Sequence, residues 1–239
     1  MKRLITLIST FVVLIHFAMA QNTKLTDIPD FDYPETVAKN ADQKLTIALN
    51  DGNGADVVRY LVQSSLAKSM ISTDNAQEII ERVDSVAACE KSPQYQAILY
   101  YFEAKMLHNL YSRNRFKIGQ RLSTNDANNI DEWSESQFID RITALAEMAT
   151  APTKALAGMN IDALGDLIVK DSYSHIVYPT LLDVIAWNCI EMIEEFTDDS
   201  AQAQGLHSKL LADLASVHHK DYAPLINVKT KIGFFKGER

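Results

Sequence analysis

Glycine and proline are scarce, with eight Gly and six Pro in 239 residues. A chain so poor in turn formers argues against a turn-rich β fold and for long helices. Cysteine is scarcer still: Cys89 and Cys189 stand alone, too few for a disulfide framework. A bridge between them would close a loop of about 100 residues and contribute roughly 4–5 kcal/mol. Cys is among the most often buried residues, however, so two buried thiols on separate helices are expected. Positive charge is also in deficit. Lys and Arg number 23 against 31 Asp and Glu, a formal charge of −8. That balance disfavours nucleic acid and anionic membrane surfaces as partners. Beyond the first twenty residues no apolar run is long enough to span a bilayer, so stable membrane insertion is not expected.

Catalytic and metal-binding signatures are missing as well. No Glu-x-x-His or His-Glu-x-x-His occurs, and a metal site would need such ligand spacing. His218 and His219 are adjacent, which on a helix turns them about 100° apart, while His207 and His218 share a face but lie roughly 16 Å apart. No Gly-x-Ser-x-Gly elbow, phosphate-cradling glycine loop or dinucleotide fingerprint is present. The turn from Asp51 to Asp56 (DGNGAD) lacks the later ligands and the final Glu of a calcium loop. Glu191, Glu194 and Glu195, followed by Asp198 and Asp199, read as a solvated helix edge. Neither Cys has an adjacent cation to lower its pKa. The expectation is no enzyme, no cofactor and no metal.

What is present begins with a leader. Lys2 and Arg3 precede an apolar stretch from Leu4 to Phe17, and Ala18-Met19-Ala20 supplies a small-x-small cleavage pattern. Residues 1–20 therefore read as a secretory signal peptide, cleaved near Ala20 to leave a periplasmic or extracellular product. The mature chain would carry 21 basic and 31 acidic residues, a charge of −10. Residues 21–33 read as an extended lead-in, and 34–236 as a helical domain. The closing KGER follows an apolar helix with no capping element, so a truncated C-terminus, or an array continued by a partner, is expected.

Within that domain apolar residues recur at spacings of three and four. Val37, Ala41, Leu45, Ala48 and Leu49 mark a first helix with Pro34 in its first turn, ended by Asn50–Gly54. Val58, Leu61, Val62, Leu66 and Met70 mark a second, and Ile79, Ile80, Val83 and Val86 a third. Ser92-Pro93 opens a long helix to about Tyr111, with Tyr95, Leu99, Phe102, Met106 and Leu110 on its buried side. Residues 112–132 show no period and read as a long ordered connector. Ser134 and Gln137 stand in a capping-box relation ahead of Phe138, Ile142, Leu145 and Met148. Pro152 opens a short helix, Ile161 to Val169 another, and a second connector, KDSYSHIVY, leads to Pro179. Further helices follow over Thr180–Phe196, Ala201–His218 and Tyr222–Phe235. The fold class is all-α: antiparallel helical hairpins stacked as an irregular bundle or a tetratricopeptide-like superhelix.

The segment YSRNRFKIGQR, from Tyr111 to Arg121, crowds four cations into nine positions of an acidic chain. Arg113, Arg115, Lys117 and Arg121, with Phe116 among them, read in two ways. The first is a structural connector pinned to Asp126, Asp131 and Glu132, with Phe116 and Ile118 laid on the core. The second is a docking surface for an acidic partner.

Four stretches carry a family resemblance: LVQSSLAKSMISTDN (61–75), NRFKIGQR with DEW (114–121 and 131–133), YPTLLDVIAW (178–187) and LLADLASVHHKD (210–221). Together they resemble the N-terminal helical region of bacterial alpha-2-macroglobulin family proteins of the large Bacteroidetes type. The resemblance implies a large exported protein that traps or inhibits proteases, with β-sandwich domains after a helical start. The family's thioester motif, Cys-Gly-Glu-Gln, has no counterpart here, so no functional residue carries over.

The expected function is an exported, non-enzymatic helical scaffold or protein-interaction domain whose partner is a protein or the remainder of a larger exported chain. The alternative is a periplasmic binding accessory protein for a protein or glycan ligand, using Tyr95, Tyr100, Tyr101 and Phe102 on a concave face. A third class, a hydrolase, would need a converged carboxylate pair or a His–carboxylate pair in a deep pocket.

Overall fold

A computed structural model describes residues 33–121, 129–162, 165 and 178–218. The leader at 1–20, most of the lead-in, residues 170–177 of the second connector, Asp126 and the expected C-terminal helix lie outside the described residues. Among those described are eight α-helices and no β-strand. They are α1 (Pro34–Asp51), α2 (Gly54–Ile71), α3 (Ala76–Cys89), α4 (Pro93–Ile118), α5 (Glu135–Thr150), α6 (Thr153–Ala157), α7 (Leu181–Ile193) and α8 (Ala201–His218). Short 3₁₀ turns sit at Thr73–Asn75, Ile130–Glu132 and Glu194–Phe196. No helix among the described residues is long and apolar enough to cross a membrane.

Local chemistry sets the helix ends where the sequence places them. Pro34 occupies the first turn of α1, and Gly52 ends the helix with φ +67°. The Asn53 N–H reaches back to the Ala48 carbonyl at 3.0 Å, closing the last turn in the left-handed conformation that glycine tolerates best. Asn53 then caps α2 by accepting from the Asp56 N–H. Ser134 and Gln137 form the expected capping box at the start of α5, and Thr180 with Asp183 forms a second at α7. Asp183 is fully buried, yet Thr180 serves its carboxylate through the backbone N–H at 2.9 Å and the hydroxyl at 2.6 Å.

α4 organises the bundle. It packs against α2, α3, α5, α6 and α7, an arrangement that an open stack of nearest-neighbour hairpins does not produce. The irregular-bundle alternative therefore describes the molecule. Ile98, Leu99, Tyr101, Phe102, Ala104 and Leu107 are all buried, so the middle of α4 is covered on every side. One contiguous core runs from Leu45 on α1 to Leu214 on α8. α1 and α2 form an antiparallel hairpin, and α1 packs chiefly on α2.

The structure corrects the reading in four places. α4 does not stop near Tyr111 but continues to Ile118, so the expected connector at 112–132 begins as two more helical turns. These turns show no apolar period because only Tyr111 and Ile118, seven residues apart, face the core. Arg115 and Lys117 in the last turn suit the negative end of the helix. Phe116, expected on the core beside Ile118, points the other way and is 83% exposed; in a helix, residues two apart lie on opposite sides. Leu49 and Met70, expected inward, are 46% and 37% exposed at the ends of α1 and α2. Finally, Cys89 and Cys189 are unbridged as expected, but only Cys189 is buried. Burial pushes the Cys189 thiol up to about 12, leaving it inert as a nucleophile.

α2 begins hard against α4. A Cβ at Gly54 would clash with the Tyr95 ring, whereas one at Gly205 on α8 meets nothing within 4 Å. Gly54→Ala is therefore expected to destabilise the fold by about 1–3 kcal/mol. Gly205→Ala should stabilise it by about 0.5–1 kcal/mol through helix propensity. Thermal unfolding of the two variants checks this, and equal shifts would contradict the close approach of α2 to α4.

Candidate interaction face at the end of the long helix

The five residues singled out in the basic segment divide into two sets. Arg115, though exposed, reaches along its helix to place its guanidinium 5.8 Å from the Tyr111 ring and 3.7 Å from the Glu195 carboxylate. Arg121 lies beyond the helix end and donates to the Trp133 carbonyl at 3.0 Å, tying the end of α4 to the start of α5. These two hold structure, with partners other than the expected Asp131 and Glu132. Arg113, Phe116 and Lys117 are exposed. Neither Arg113 nor Lys117 has an ion-pair partner among the described residues. At about 100° per residue, positions 113, 116 and 117 fall on one stripe, opposite Tyr111 and Ile118.

A polar and aromatic network behind this stripe fixes the helix end. His108 on α4 pairs with Glu195 in the turn after α7. The Phe196 ring meets His108 edge-on at 6.0 Å and Tyr111 at 5.5 Å. The Tyr111 hydroxyl donates to Glu135 at the start of α5, 2.5 Å away. Burial and this carboxylate both push the Tyr111 phenol upward from its ordinary value, so it stays a donor. Burial also lowers the His108 pKa, against the opposing pull of Glu195. The neutral imidazole therefore donates through Nε2, and its Nδ1 is buried without a hydrogen-bond partner. Glu195 is exposed, as expected of the acidic helix edge, and from there it also ties the turn after α7 to α4 through His108 and Arg115.

A second cluster lies deeper. Arg141 on α5 donates to Glu103 on α4 at 2.7 Å and to Asp84 on α3 at 2.9 Å. Glu103 is wholly inaccessible, and its Oε2 has no hydrogen-bond partner. Burial pushes its carboxyl up to about 7, with Arg141 pulling down and Asp84 adding to the rise. Burial also opposes the Arg141 charge, but the two carboxylates outweigh it and hold the guanidinium protonated. At the first hairpin, Asp42 accepts from Ser64 at 2.5 Å and Arg82 at 2.6 Å. Burial raises the Asp42 pKa, but these donors and Lys68 outweigh it and keep the carboxyl below its usual range. Among the described residues no group of three or more His, Cys, Asp and Glu is placed to hold a metal ion.

Sequence reasoning missed Glu103, His108 and Arg141. The one local signal was Glu103 itself, a carboxylate set within the apolar run Ala97–Ala104. The ambiguous aromatics also resolve: Tyr101 and Phe102 are core, while Tyr95 and Tyr100 are half-buried against it. Comparison with protein-family models, curated proteins and solved structures finds no match to this chain.

Two of the shifted groups, Glu103 and His108, act on stability with opposite sign. Glu103 is raised from 4.5 to about 7, so ionising it costs the folded state more than the unfolded one. Its contribution is intact below pH 4.5 and is lost as pH rises through about 7, an effect on the order of 3 kcal/mol. His108 is lowered from 6.5, so its contribution is intact above pH 6.5 and is lost as pH falls from there. In Glu103→Gln, stability should therefore rise with pH between about 5 and 6.5, and in His108→Gln it should fall across the same range. Urea midpoints measured against pH check the pair, and slopes of the same sign would refute the assignment.

Proposed function

We propose that this chain is an exported, non-enzymatic helical scaffold that works by protein–protein contact, as the helical start of an alpha-2-macroglobulin-like protease inhibitor would. The observation that carries the reading is Phe116, 83% exposed on a helix whose far side is anchored to two neighbouring elements. A large aromatic held in water on an ordered helix is a contact residue in waiting, because aromatics supply much of the binding energy at interfaces. The polar clusters support a structural rather than catalytic role. Arg141, His108 and Tyr111 each spend their hydrogen bonds on carboxylates of neighbouring elements, and the Cys189 thiol is buried and unreactive.

Two measurements test the reading. The N-terminal sequence of protein recovered from a bacterial periplasm is expected to begin at Gln21; an intact Met1 on soluble cytoplasmic protein would count against export. A photo-crosslinking side chain at position 116 should give a discrete protein adduct in the native cell, while one at the exposed position 147 of α5 gives none. No adduct at 116, or the same adducts from both positions, would remove the contact role.

A further inference from the structure

We propose that the Arg113–Phe116–Lys117 stripe receives an acidic protein segment carrying an apolar side chain, its carboxylates meeting the two cations and its apolar group packing on the Phe116 ring. The inference rests on the contact role proposed above and names the partner's chemistry. The three residues stand at i, i+3 and i+4, the spacing that makes neighbours on a helix surface, with Cβ atoms about 5–6 Å apart. Both cations lack an ion-pair partner among the described residues, although acidic residues outnumber basic ones in the chain. The two other arginines of the segment are drawn to Glu195 and the Trp133 carbonyl. An unpaired guanidinium beside an exposed aromatic suits a carboxylate taken bidentately next to an apolar contact.

The same observations disfavour an extended polyanion. Such a ligand needs a long basic track to overcome repulsion, and this chain carries a charge of −8, with two cations on the stripe that lack an ion-pair partner among the described residues. A second copy of the chain could also bring acidic groups to the stripe, in a reciprocal closed dimer, and self-association of the full chain separates that occupant from an acidic partner segment.

The stripe's position keeps its test clean. All three residues are exposed and lie opposite the buried Tyr111 and Ile118, so their removal should cost only the Lys117 charge at the helix end, a fall in Tm of at most about 4 °C. Phage display of random twelve-residue peptides on the immobilised full chain should enrich sequences pairing Asp or Glu with a large apolar residue. Synthetic versions should lose about tenfold or more in affinity against the Arg113→Ala, Phe116→Ala, Lys117→Ala triple variant. They should also weaken in 0.5 M salt, where exposed charges are screened. Selected peptides that are apolar but not acidic, and that still depend on Phe116, would overturn the acidic partner while leaving the contact role standing. Peptides that bind the triple variant as well as wild type would overturn both. Concentration-dependent self-association abolished by the triple variant would replace the acidic segment with a second copy and overturn the proposal.

Discussion

A single guanidinium, that of Arg141, joins three helices. It reaches from α5 to Glu103 on α4 and Asp84 on α3, and the rest of the bundle is arranged around that junction. Burying a carboxylate as fully as Glu103 is costly, and attraction to Arg141 offsets the cost without making the pair a large source of stability. Its consequence is directional. Separating the two would leave the buried Glu103 carboxyl without the donor Arg141 gives it, so a packing of α3, α4 and α5 that did so would be penalised. Apolar contacts alone set no such condition, because hydrophobic burial is non-directional. The apolar side chains around α4 supply the main drive to collapse, while the ion pair discriminates among the ways of collapsing.

That fixed register reaches the surface through α4. The helix is gripped at its middle by the core and again near its end by elements that come from far along the sequence. His108 and Arg115 take Glu195 after α7, and Tyr111 takes Glu135 at the start of α5. Arg121, just past the helix, takes the Trp133 carbonyl. Each of these contacts uses the inward side of α4 or the chain beyond it, and the outward side of the last two turns is left bare. A surface held this way needs little ordering when it binds, which favours affinity from a small number of side chains.

The parts of this architecture that were legible in the sequence are those written in neighbouring residues. Helix ends at Pro34, Gly52, Pro93 and Ser134 follow from chemistry acting over three or four positions, and the sequence announces them. Burial follows periodicity through α3 and α5, each of which buries one face. The tail of α4 escaped because periodicity measures burial, and a helix in water needs none. Arg113 to Lys117 stay helical with no apolar face to report it, so Phe116 and Ile118 read as one face of an extended connector although the helix sends them to opposite sides. The charged junctions escaped for a different reason. Glu103 and Arg141 are 38 positions apart, and His108 and Glu195 are 87 apart; only the tertiary fold brings them together.

An acidic chain that leaves a cationic aromatic stripe exposed sets up two fields of different range. At distances beyond a Debye length, about 8–10 Å at ordinary ionic strength, the net charge falls off and discriminates weakly. Closer in, the overall negative field repels polyanions, while Arg113 and Lys117 offer attraction over one small area. A long uniform polyanion meets more repulsion than attraction there, whereas a short acidic segment placed over the stripe meets mainly the two cations. Phe116 between them adds a demand that charge alone cannot meet, since the ring gains only from an apolar group brought close enough to exclude water. Specificity at such a face comes from requiring both features within a few ångströms of each other, and from a net negative charge on the chain that opposes ligands supplying only negative charge.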